Sequence, residues 1–287
     1  MAAEVIVIVG ETASGKSSLA MELAKKFGGE IICADSWTVY KGFDIGTAKP
    51  TYADQKLIPH HLLDVADPLK GFSAAEFKRR AESAIADIQK RAKLPIVVGG
   101  TGLYVDSLLF DYSFMPAGDS ARRQLLNAQT LEQLMKEIRA KKIDVTGIDL
   151  GNKRRLIRLI ESDGKRPTSQ KLRENCLILG LKVDSEELKK RIQKRVKGMF
   201  EIGLENEVRQ LAKGYGWGVE PMKGIGYREW RAYFEGGQTL AETKQQIISS
   251  TNGLAKKQRT WFKRNKYIQW IDDPRQAVAL VTTFLNT

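Results

Sequence analysis

The chain has 287 residues, 42% of them hydrophobic and 28% charged. That is enough apolar material for the core of one large domain, or of one domain carrying a smaller insert, and it is not the composition of a disordered polymer. Two cysteines, Cys33 and Cys176, exclude a disulfide scaffold and a zinc centre built on four thiolates, and fit a reducing compartment. The 47 Lys and Arg against 34 Asp and Glu leave a formal charge of +13, which suits a polyanionic partner, because cations that neutralise phosphates release counterions.

No apolar run approaches the roughly 20 residues of a membrane helix. The start, Met1-Ala2-Ala3-Glu4, lacks the basic flank of a secretion signal. A soluble, cytoplasmic monomer is the expectation.

Glu4 to Gly10 contains Val-Ile-Val-Ile-Val, a short β-branched run that predicts a strand buried on both faces. Lys16 to Phe27 has helical spacing, with Leu19, Met21, Leu23, Ala24 and Phe27 on one broad face, and Gly28-Gly29 stops it. Ile31 to Ala34 predicts a second strand ending at Asp35. Ser73 to Lys93 reads as a helix that Pro95 breaks, and Ile96-Val97-Val98 as a third strand ending in Gly99-Gly100. Strands alternating with helices point to a parallel sheet with crossover helices. From Ser120 to about Arg173 the chain is charged and helical in propensity, and Cys176 to Val183 is apolar again. The organisation predicted is an α/β core, residues 1–112 and 175–287, interrupted by a mostly helical insert over 113–174. The core ends in helices, a late strand at Tyr267 to Ile271, and a closing helix from Pro274.

Gly10-Glu11-Thr12-Ala13-Ser14-Gly15-Lys16-Ser17 has the spacing of a P-loop and sits between a strand and a helix, as that motif requires. Successive loop amides form an anion nest and the helix amino terminus adds a fixed positive potential. Lys16 supplies a mobile charge, and the Ser17 hydroxyl suits the coordination shell of Mg2+. The fold class expected is therefore a P-loop nucleoside-triphosphate-hydrolase-like parallel sheet. A P-loop alone says phosphates and leaves the chemistry open, with a small-molecule or nucleoside kinase as the default.

Two further segments fall at predicted strand ends, where open parallel sheets bind ligands. Asp35-Ser36 is followed by Asp44-Ile45-Gly46-Thr47-Ala48-Lys49-Pro50, and the third strand runs into Gly99-Gly100-Thr101-Gly102-Leu103-Tyr104. The glycines there permit close backbone approach.

With these segments the sequence resembles the tRNA dimethylallyltransferases, also called tRNA isopentenyltransferases, of the bacterial type. The matching stretches are GETASGKSS, ADSWTVYKGFDIGTAKP, IPHHLLD, VVGGTGLYVDSLL, NKRRLIRLIE, GLENEV, GIGYREW and AKKQRTWFKR, spread over nearly the whole chain. It departs from many relatives in having Glu11 where they have proline and Thr38 where they have glutamine. The resemblance implies transfer of a dimethylallyl group from dimethylallyl diphosphate to the exocyclic amine of the adenosine next to the anticodon, with an insert that grips the anticodon stem-loop. The P-loop then holds a leaving diphosphate and no phosphoryl group moves.

On that reading Asp35 is the candidate general base and Thr101 donates to the oxygen bridging carbon and phosphorus. Arg123, or alternatively Arg122, contacts diphosphate or RNA. Residues 10–17 form the diphosphate cradle, with Ser17 on the metal. Asp35, Ser36, Trp37 and Thr38 line the meeting point with a flipped base, and Trp37 suits either base stacking or the core. Further tRNA contacts fall in Arg154-Arg155-Leu156-Ile157-Arg158 and Lys223-Gly224-Ile225-Gly226-Tyr227-Arg228, and the basic–aromatic run Lys256 to Arg264 is a third RNA-facing stretch. His60-His61 does not read as a metal site, because neighbours on a strand point to opposite faces, and the resemblance implies that the pair is structural or near the RNA path. An RNA-binding module with a degenerate P-loop is the remaining alternative, against which the intact Lys16-Ser17 pair stands.

Overall fold

The computed structural model describes residues 4–114, 118–166 and 172–286. The chain divides into two compact units, Met1–Leu109 with Leu172–Thr287, and Phe110–Lys171. The first unit opens with β1 (Val5–Gly10), α1 (Lys16–Phe27), β2 (Gly29–Cys33), α2 (Tyr52–Leu57), β3 (His60–His61), α3 (Ala74–Lys90), β4 (Leu94–Val98) and α4 (Gly102–Leu109). The second unit holds α5 (Ser120–Ala128), α6 (Leu131–Ala140) and α7 (Lys153–Glu161). The first then resumes with β5 (Cys176–Leu181), α8 (Ser185–Glu201), α9 (Leu204–Tyr215), α10 (Trp230–Phe234), α11 (Leu240–Phe262), β6 (Gln269–Ile271) and α12 (Pro274–Leu285). No helix among the described residues is long and apolar enough to cross a membrane.

Six strands form one sheet in the order β3-β2-β4-β1-β5-β6, with every pairing parallel. β1 is buried along its whole length, which is why its sequence is continuously apolar instead of alternating. Leu19 and Leu23 of α1 and Ala277 and Val281 of α12 share one core with Ile6, Ile8, Ile96 and Leu179 of the sheet. Helix α3 packs on β2 and β4, and α11 on β1. The chain leaves β1 toward β2 on one side, while β5 joins on the other. β1 therefore lies at a switch point, where the carboxyl ends of the strands open a crevice.

One sequence expectation differs in detail. β4 begins at Leu94, so Pro95 lies inside the strand, opposite Glu30. It sits in the second position, near the strand start, where the missing N–H is tolerated. His60 and His61 form a two-residue edge strand on β2 that no hydrophobic run announces.

The smaller unit packs Leu126, Leu134, Ile138, Leu156, Ile157, Leu159 and Ile160 into its own core. Asp119, Thr130 and Asn152 cap its three helices. This corrects the expectation that Leu156 and Ile157 contact tRNA. They are 0% and 3% exposed, because at helical spacing the residues between exposed cations face the opposite side.

Candidate active site

The loop between β1 and α1 is the candidate phosphate cradle. Gly15, at φ +100°, caps α1, a conformation that a side chain would strain. No side chain caps α1 and its first turn holds no acid, so its amides suit an external anion. The Ser14 hydroxyl is buried with no hydrogen-bond partner among the described residues, an orphan that a phosphate oxygen would satisfy. Lys16 Nζ donates to the Glu11 carbonyl at 2.6 Å, and the Ser17 hydroxyl belongs to a residue in the first turn of α1.

Helix α8 adds cations that no motif marks. Arg195 Nη1 donates to Thr12 Oγ1 at 3.0 Å and Arg191 Nη1 to the Ser14 carbonyl at 3.4 Å. Desolvation in the cleft, and next the charge of Arg195, pull Lys16 down to about 7, against the opposing pull of Asp35 and Glu11. A lysine depressed by burial with an arginine nearby suits a place that receives an anion.

Asp35 follows β2 and faces the same cleft. Its carboxylate accepts the Trp37 N–H at 2.8 Å and also that of Thr38. Desolvation raises its pKa above the usual carboxylate range, while those amides, Lys16 and Arg195 act in the other direction. A raised carboxyl beside a depressed lysine is the pairing expected of an acid–base site. Thr101 Oγ1 accepts the Ser36 N–H at 3.0 Å and donates to Ser36 Oγ at 3.3 Å, which ties the end of β4 to the end of β2. The Thr38 hydroxyl is buried without a partner among the described residues. The cleft measures about 370 Å³ and its lining includes Lys16, Ser17, Asp35, Trp37, Thr38 and Arg195, a size suited to a small ligand.

The loop Asp44 to Lys49 is a built structure. The Glu207 carboxylate accepts the N–H groups of Asp44, Ile45 and Gly46 at 3.2, 2.8 and 3.1 Å, and Lys49 donates to Asp44, Asp64 and the Tyr40 carbonyl. Lys223, Ile225, Gly226 and Arg228 line the cleft. Tyr227 does not. It is 1% exposed and its hydroxyl donates to Glu207, which corrects its side chain from a tRNA contact to a core strut. Gly224 backs onto the Trp37 ring. Trp37 both packs against the core and lines the cleft.

Gly99 and Gly100, after β4, line the cleft, and the glycines there also admit a second neighbour. A Cβ on Gly100 would collide with the Gln258 side chain, and one on Gly102 with the Trp261 ring. The close approach here is by helix α11. Gln258 Oε1 accepts the Thr12 N–H at 2.7 Å and its Nε2 donates to the Gly100 carbonyl at 3.0 Å. Trp261 Nε1 donates to Asp106 at 2.8 Å, and Arg259 pairs with the buried carboxylate of Glu11. Of the basic run, Lys256, Lys257 and Lys263 remain exposed, whereas Gln258, Arg259 and Trp261 are engaged with the P-loop and α4.

In the smaller unit Arg123 makes a two-pronged pair with Glu161, whose side chain is 1% exposed, and Arg122 pairs with Glu137. Arg158 also reaches Glu161. Lys153, Arg154 and Arg155 occupy the first turn of α7, which has no acid. Cations there oppose the helix dipole, so the local preference is for an anion such as a phosphate.

Among the described residues no cluster of three or more His, Cys, Asp or Glu is placed to hold a metal ion. His61 Nε2 pairs with Glu30 at 2.7 Å and His60 Nδ1 with the Ile58 carbonyl at 2.7 Å, so the two histidines serve separate partners. The Ser17 hydroxyl beside a phosphate cradle fits Mg2+, a cation that takes few protein ligands and completes its shell with phosphate and water oxygens.

Parallel sheet, anion nest, lysine and ligand crevice together define a P-loop protein whose crevice also takes a carboxylate, Asp35, from the end of β2. The IPP transferase family profile matches residues 38–265. A tRNA dimethylallyltransferase of Citrifermentans bemidjiense is 42% identical over 94% of this chain and 92% of its own length. The tRNA delta(2)-isopentenylpyrophosphate transferase of Staphylococcus epidermidis superposes with a TM-score of 0.74 at 34% identity, covering 99% of both chains. A eukaryotic dimethylallyltransferase acting on tRNA superposes with a TM-score of 0.85 at 26% identity, covering 99% of this chain and 80% of its own. The chain belongs to the tRNA dimethylallyltransferase family, and the kinase alternative falls away.

Proposed function

We propose that this chain transfers the dimethylallyl group of dimethylallyl diphosphate to the exocyclic amine of the adenosine beside the anticodon of a tRNA. The observation that carries the reading is that Lys16 and Ser17 of the loop and Asp35 and Thr38 beyond β2 line one cleft. Leaving-group cradle and base are within electrostatic reach of each other.

The amine nitrogen is a poor nucleophile because its lone pair is delocalised into the ring. Asp35 accepts a hydrogen bond from it and takes the proton as the carbon–nitrogen bond forms and the allylic carbon–oxygen bond breaks. Such assistance is worth about 10²–10⁴-fold. The departing diphosphate is stabilised by the loop amides, Lys16 and Arg195, and Thr101 turns its hydroxyl proton from Ser36 Oγ to donate to the bridging oxygen. Mg2+, held through Ser17, supplies further charge stabilisation when bound. A role for Arg123 toward diphosphate or RNA requires it to exchange Glu161 for a phosphate. The anticodon stem-loop is met by Arg154, Arg155 and Arg158 of the insert and by Lys223, Arg228 and the segment Ser36 to Thr38.

The test is incubation with unmodified tRNA, magnesium and radiolabelled dimethylallyl diphosphate. Label entering RNA is expected, and ATP hydrolysis without label transfer would overturn the proposal. Asp35→Asn keeps tRNA binding and lowers kcat by about two or more orders of magnitude. Near-normal turnover would remove Asp35 from the mechanism.

A further inference from the structure

We infer that Gln258 is a positioning residue that sets the spacing between the diphosphate cradle and the Thr101–Asp35 edge of the cleft. The inference rests on the prenyl-transfer reading above.

The Gln258 side chain spans two loops from opposite ends. Its oxygen accepts the N–H of Thr12, in the P-loop, at 2.7 Å, and its nitrogen donates to the carbonyl of Gly100, beside Thr101, at 3.0 Å. Among side chains of this size only an amide offers an acceptor and a donor side by side in this way. The residue is 8% exposed, so water does not replace either bond cheaply. It rides on α11, which also packs against β1, α8 and α4, a rigid base for a strut of fixed length. From Gly100 the connection continues through Thr101 to Ser36, next to Asp35.

One end of this tie holds the loop that receives the leaving oxygens. The other holds the edge that aligns the attacking nitrogen. Transfer needs the reacting atoms about 3–3.5 Å apart and in line, and a misplacement of about 1 Å costs on the order of 10²-fold. Gln258 also lines the cleft, but both ends of its amide are taken by the two loops. Its effect falls on kcat, through the relative placement of the two loops.

Two variants test this. Gln258→Glu keeps an oxygen for Thr12 and loses the donor for Gly100, while Gln258→Leu loses both. Each is checked for folding by circular dichroism and thermal melting, then assayed for label transfer beside the wild-type chain. The expected result is a graded fall in kcat, about tenfold for Glu and about 100-fold for Leu, with KM for dimethylallyl diphosphate changed less than about threefold. Wild-type kcat in either folded variant would overturn the inference, as would a loss confined to KM. So would failure of both variants to fold, which would assign Gln258 to stability alone. A wild-type chain that transfers no label refutes the prenyl-transfer reading itself, a distinct outcome.

Discussion

The Tyr227 hydroxyl donates to Glu207 at 2.7 Å, and the same carboxylate accepts the amides of Asp44, Ile45 and Gly46. One acidic side chain thus joins the cleft-lining segment around Tyr227 to the loop that begins at Asp44. Burial, reinforced by Glu207, pushes the Tyr227 pKa well above its ordinary value, so the phenol stays a donor. Tyr227→Phe removes one bond to a charged acceptor and lowers unfolding free energy by about 1.5–3 kcal/mol. Urea denaturation reads the difference, and an unchanged midpoint would show that the hydroxyl contributes nothing.

The charges of the cleft predict a bell-shaped pH profile for kcat/KM, which reports the free enzyme. Lys16, lowered to about 7, loses its charge progressively as pH rises through neutrality, so diphosphate capture weakens there. Asp35 has a raised pKa and works as a base only when ionised, so activity also falls on the acid side. Arg195→Gln removes a charge that depresses Lys16 and moves the alkaline limb upward, while weakening diphosphate binding. An alkaline limb in both enzymes at the ordinary lysine value of about 10.4 would refute this.

The two faces of α7 predict opposite phenotypes. Leu156→Ala hollows the core of the smaller unit and costs about 2–5 kcal/mol of stability, seen as an early melting transition. Arg154→Ala and Arg155→Ala leave melting nearly unchanged. They weaken tRNA binding, and the slope of log affinity against log salt becomes shallower by about one for each phosphate that is no longer neutralised. Equal salt slopes in wild type and variants would detach these arginines from RNA.

Adjacent glycines after β4 are not equivalent. A Cβ on Gly99 would strike the backbone of Ala34, whereas one on Gly100 would meet the Gln258 side chain. Backbone in neighbouring strands cannot yield, so Gly99→Ala costs more than about 3 kcal/mol and gives little folded protein. Gly100→Ala displaces a flexible amide, folds, and lowers kcat in the manner of the Gln258 variants. Soluble yield and melting temperature separate the two, and a normally stable Gly99→Ala would contradict the packing.

The P-loop, the strands at Val5, Ile31 and Ile96, and the placing of Asp35 and Thr101 at strand ends were legible because their signals are local. A β-branched run, a glycine spacing and a helix amino terminus are each complete within about ten residues. Leu156, Ile157 and Tyr227 misled because a motif records which residues recur together and does not say which way each side chain faces. Helical phase turned the first two inward, and Glu207 captured the third.

By itself, then, the sequence determined the glycine-rich loop of the candidate cradle, the parallel order of strand and helix, and the basic character of the chain, all properties of neighbouring residues or of composition. Only the tertiary structure decided what holds the cradle in place. Gln258 meets Thr12 across 246 residues of chain and Arg195 meets it across 183. No local pattern encodes such pairs, because they exist only once the sheet has brought α8 and α11 against the end of β1.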